Sequence, residues 1–76
     1  MIVYKRELTI DDVCGLDKDE ELIFYMSDDV AIVVIESNGR YVVRKKGIYE
    51  NELIEEAILK EADEVMEFVQ NLSAKL

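Results

Sequence analysis

Apolar and polar side chains alternate from Ile2 to Leu8, with Ile2, Tyr4 and Leu8 on one side and Val3, Lys5 and Glu7 on the other. That two-residue period predicts a first strand. The alternation then stops. Thr9 can cap a short helix, Asp12 stands three residues on as the carboxylate of a capping box, Leu8 and Val13 occupy the flanking staple positions, and Gly15 can end the turn. Leu22 to Ser27 reads as a second strand, Asp28-Asp29 as a tight turn, and Val30 to Glu36 as a third strand rich in β-branched residues. Asn38-Gly39 supplies the two positions of positive φ that a type I′ hairpin needs. It pairs Ser37 with Arg40 and Val34 with Val43, so the fourth strand runs from Tyr41 to Lys46.

From Asn51 onward the pattern becomes helical: Ile54, Ile58, Ala62, Val65, Val69, Leu72 and Leu76 recur every three or four positions. One helix from residue 51 to 74 would measure roughly 36 Å, longer than the strands it covers. Glu52, Glu55 and Glu56 would crowd its positive end. The expected fold is therefore a single α+β domain over residues 1–76, of order β-α-β-β-β-α. Its four-stranded, mainly antiparallel sheet would carry a short capped helix and a long C-terminal amphipathic helix on one face.

Carrying the two tight-turn registers through the sheet puts Ile23, Tyr25, Ile32, Val34, Tyr41 and Val43 on one face. Leu22, Phe24, Met26, Ala31, Val33, Ile35 and Val42 fall on the other. Both faces are apolar, and one helix covers one of them. A homodimer or a protein partner is expected on the second, either through Phe24, Val33 and Ile35 or through the overhanging helix end at Phe68 and Leu72. An extra residue in the Asp28-Asp29 turn would exchange the faces of the second strand.

Charge adds candidate chemistry and removes several function classes. The 76 residues hold 18 acids, 9 bases and no histidine, for a net charge of −9. Residues 1–29 carry −6, residues 30–49 carry +3, and residues 50–76 carry −6. The one cysteine, Cys14, cannot form an internal disulfide and has no histidine to activate it, which leaves it as a small buried filler. Without histidine the usual zinc ligands and general base are missing, and the three glycines stand too far apart for a phosphate loop. No enzymatic constellation is visible. The dyads Asp28-Asp29 and Glu55-Glu56 diverge in direction as chain neighbours.

Two charged regions invite a functional reading. Asp11, Asp12, Asp17, Asp19, Glu20 and Glu21 crowd the connection between the first two strands. Asp17, Asp19 and Glu21 alternate as the oxygen ligands of a calcium ion can, with Asp12 as a fourth, although Leu22 stands where an EF-hand loop needs glycine. The same loop also reads as a solvated acidic segment. Alternatively, Glu52, Glu56, Asp63 and Glu67 would form a helical stripe that docks a basic partner or mimics nucleic acid. The basic cluster Arg40, Arg44, Lys45 and Lys46 is a poor nucleic-acid footprint on so acidic a chain; its expected role is to blunt the sheet edge and neutralise acids of the helix.

There is no apolar run of membrane-spanning length and no signal-peptide block at the start, so a soluble, cytoplasmic protein is expected. The charge-rich, amide-poor composition leans towards a thermophile. A strand, a capped turn, a three-strand meander and a long acidic helix, without histidine or proline, make the chain similar to the small acidic conserved proteins of unknown function from methanogenic archaea. That resemblance spans the whole chain in size, composition and element order, and implies an archaeal cytoplasm.

Overall fold

In the computed structural model, which describes residues 2–18 and 20–74, the order of elements is β1 (Ile2–Lys5), α1 (Ile10–Cys14), β2 (Glu21–Tyr25), β3 (Val30–Ser37), β4 (Arg40–Gly47), β5 (Leu53–Leu59) and α2 (Ala62–Ala74). The strands form one mixed sheet in the order β1-β2-β3-β4-β5. β1 runs parallel to β2 and the other neighbours are antiparallel. The four-stranded sheet expected from the sequence is thus corrected to five strands.

The correction lies at residues 53–59. Ile54 and Ile58 are spaced for a helix, but the segment is a strand that completes the hydrogen bonding of β4 and sets Glu55 opposite Lys45 and Glu56 opposite Arg44. Cross-strand pairing of two acids with two bases, together with the backbone bonds of β4, outweighs a propensity worth a few tenths of a kcal/mol per residue. Asn51, at φ 50°, turns the chain into β5, and the Gly47 amide donates to the Glu52 carbonyl at 2.9 Å to close the loop. The helix that remains has 13 residues, and the Glu61 amide ahead of it donates to the Glu64 carboxylate at 3.1 Å. Leu76 of the expected helical repeat lies outside the described residues.

The Asn38-Gly39 hairpin forms as its sequence dictates, with φ of 52° and 78°, and pairs Ser37 with Arg40 and Val34 with Val43. The turn before β3 differs. Met26 and Ser27 both donate to the Val30 carbonyl, at 3.0 and 3.3 Å, and the Ser27 hydroxyl accepts from the Asp29 amide. Three residues rather than two make the loop, so Leu22 faces Val34 and Phe24 faces Ile32. The one-residue slip exchanges the faces of β2. Leu22 and Phe24 join the covered side; Ile23 and Tyr25 turn to the other.

α1 is capped by Thr9 in a full capping box with Asp12. It carries the chain from β1 to β2, the crossover that a parallel pair requires. Both helices lie on the same side of the sheet. There Val13 and Leu16 meet Val65, Val69 and Leu72 over Leu22, Ile32, Val34 and Val43. Phe24, Phe68 and Leu72, expected at a dimer contact, pack in or against this core instead.

Candidate interaction surface

No helix among the described residues is long and apolar enough to cross a membrane. Among the described residues no element covers the second face of the sheet. From β1 to β5 its rows read Ile2, Glu21, Ile35, Val42, Ile58 and then Tyr4, Ile23, Val33, Arg44, Glu56, followed by Tyr25, Ala31, Lys46 and Leu53 on the last four strands. Its rim is apolar and open: Ile2 is 51%, Tyr4 59%, Tyr25 46% and Ile58 60% exposed. Val33 and Ala31 at the centre are buried by their neighbours within the sheet. The rings of Tyr4 and Tyr25 stack in parallel with centroids 6.1 Å apart, which stiffens one corner of the face.

Charge on this face is net positive although the chain carries −9. Against Glu21 and Glu56 stand Arg40, Arg44 and Lys46, and the Arg44 guanidinium donates from Nε to Glu56 Oε2 at 2.6 Å. Here another acidic protein could approach without facing net repulsion.

The acids singled out in the sequence are dispersed. Asp12 Oδ2 accepts from the Thr9 amide at 3.2 Å and hydroxyl at 2.9 Å, and its Oδ1 lies 3.4 Å from Lys5 Nζ. The bonds from Thr9 hold its carboxyl below the ordinary 3.8, with Lys5 a smaller influence in the same direction. Asp17 is exposed, and its amide donates to the Glu20 carboxylate at 3.0 Å while the Glu20 amide returns to the Asp17 carbonyl. Asp19 lies outside the described residues. Glu21 is on the open face, whereas Asp12 sits with α1 on the covered side, so these two cannot share one calcium ion. Among the described residues no three metal-ligating side chains converge.

The helical stripe is also dissolved: Asp63 and Glu67 are on α2, Glu56 is on β5 and Glu52 precedes it. Glu55 and Glu56 alternate across the pleat, and the basic cluster divides likewise, with Lys45 on the covered side of β4 and Arg40, Arg44 and Lys46 on the open side. Cys14 is exposed rather than buried, because α1 turns Val13 inward and leaves its last residue outside. Burial pushes the half-buried Tyr41 phenol up, aided by the nearby Cys14, Glu36 and Glu61. Sequence reasoning found the apolar face but assigned the wrong β2 residues to it, and missed Ile58 by placing it on a helix. No family model, no curated protein and no solved structure matches this chain.

Proposed function

We propose that this chain is a non-enzymatic association module whose working surface is the uncovered face of the sheet. The observation that carries the reading is the open apolar rim of Ile2, Tyr4, Tyr25 and Ile58 around a centre of Ala31, Val33 and the paired Arg44 and Glu56. Contiguous apolar surface of this kind marks contact sites on small proteins, and tyrosine is favoured there because it buries a large area at low entropic cost.

A photo-crosslinking residue, p-benzoylphenylalanine, placed at Tyr4 and in a separate variant at Glu67 tests the reading in extracts of cells that produce the protein. Position 4 lies on the open face and position 67 on exposed α2. Irradiation is expected to yield a discrete covalent adduct from position 4 and none from position 67. No adduct from position 4, or the same adduct from both, would overturn the proposal.

A further inference from the structure

We infer that the occupant of the open sheet face is a second copy of this chain, stacked face to face across a two-fold axis that runs along β3. The inference rests on the reading of the chain as an association module and names its partner. Charge is sorted across this face. Arg40, Arg44 and Lys46 all stand on β4, Glu21 stands on β2, and between them β3 shows Ala31, Val33 and Ile35. Glu56 on β5 is held by Arg44, whereas among the described residues neither Glu21 nor Arg40 has an ion-pair partner. The half of the face before β3 is therefore acidic and the half after it basic.

A two-fold axis between two facing sheets can run along the strands or across them. Along β3, it sets β2 of one copy over β4 of the other, and β1 over β5. Across the strands, it sets β4 over β4 and brings Arg40 against Lys46. Charge selects the first. The same axis keeps every side chain at its own height along the strands, so each cross-strand row meets itself. From the observed pairings, Ile2 comes opposite Ile58, Tyr4 opposite Glu56 and Tyr25 opposite Lys46 of the second copy. Glu21 comes opposite Val42, whose same-face neighbours along β4 are Arg40 and Arg44. Glu56 already neutralises Arg44, so Arg40 is the base that Glu21 meets. An apolar pair, a phenol at a carboxylate, an ammonium over a ring and an ion pair thus form together, each of them twice.

The product is a two-layer sandwich, with sheets about 10 Å apart and strands within about 30° of alignment. The helices stay outside. Because the face is net positive on a chain of net −9, the acidic surface of each copy is turned away from the seam. Five strands at about 4.8 Å and four rows at about 6.8 Å give a face of about 500 Å² per copy. About 1,000 Å² in total is the lower end for a specific interface, so the dimer is weak.

Sedimentation equilibrium of the purified chain from about 10 µM to about 1 mM reads it. The wild type is expected to approach twice its 8.8 kDa at the upper end. Glu21→Lys and Arg40→Glu should each weaken association about tenfold, and the double variant should return to within about threefold of the wild type. Glu67→Lys changes the net charge as Glu21→Lys does but lies on exposed α2, and should leave association unchanged. With p-benzoylphenylalanine at position 4, irradiation of the purified chain should join it to residues 53–59 of the second copy; within one chain β1 and β5 are opposite edges of the sheet. A monomer throughout, equal effects of Glu21→Lys and Glu67→Lys, tighter association of Arg40→Glu, no restoration in the double variant, or no adduct at residues 53–59 would overturn the inference. If extracts give an adduct of another mass from position 4 while the purified chain stays monomeric, the association reading stands and only this partner is lost. Loss of that adduct as well removes the association reading itself.

Discussion

Truncating two adjacent residues of β2 tests the register that distinguishes this fold from its nearest alternative. Leu22 is 2% exposed and sits opposite the fully buried Val34, whereas Ile23 is half-buried on the open face opposite Val33. Leu22→Ala removes three carbon atoms from the core, about 2.4 kcal/mol of transfer free energy at about 0.8 per methylene. Incomplete collapse of the cavity raises the loss to about 3–4 kcal/mol. Ile23→Ala surrenders partial burial and β propensity, about 1 kcal/mol. A domain of 76 residues has about 4–11 kcal/mol in hand, so Leu22→Ala is severe but measurable. Urea unfolding followed by far-ultraviolet circular dichroism at low micromolar concentration reads monomer stability. At a slope of about 1 kcal/mol per molar, the midpoint should fall by about 3 M for Leu22→Ala and about 1 M for Ile23→Ala. Equal losses, or a larger loss at Ile23, would refute the three-residue loop at Ser27–Asp29 and the assignment of the open face that depends on it.

Thr9→Ala removes the hydroxyl that caps α1 and bonds Asp12, and should cost about 1 kcal/mol in the same unfolding assay. Because the folded-state pKa of Asp12 lies below the ordinary 3.8, its contribution is present above 3.8 and is lost as pH falls through the folded-state value. Thr9→Ala should therefore flatten the acid limb of stability and raise the Asp12 titration midpoint, as read by carboxyl-carbon nuclear magnetic resonance. Gly39→Ala meets no atom within 4 Å of the added carbon, so its expected loss of about 1–2 kcal/mol is backbone strain at φ 78° alone. An unchanged urea midpoint for Gly39→Ala would contradict a type I′ turn at this position.

Local chemistry determined the parts of this protein that need only neighbours in sequence. Asn38-Gly39 dictates a hairpin and its register because both positions require positive φ. Thr9 and Asp12 dictate a helix start because each satisfies the other's backbone donor. The β-branched run of Val30 to Glu36 and the spacing of Val65, Val69 and Leu72 likewise match their strand and helix. An uncovered apolar face followed from counting two apolar faces against limited helical cover.

Tertiary structure decided what local signals alone did not. Residues 53–59 show a helical spacing and no strand alternation, and the unpaired edge of β4, with Arg44 and Lys45 on it, draws them into a fifth strand. The Ser27–Asp29 loop absorbs one residue through paired bonds to a single carbonyl, and that one residue moves Leu22 into the core and Ile23 out of it. The acidic connection after α1 looked convergent as a string of letters, but Asp12 and Glu21 fall on opposite sides of the sheet. A period of two makes every face assignment depend on the count of residues in a turn, and that count is set by hydrogen bonds formed only when the strands meet.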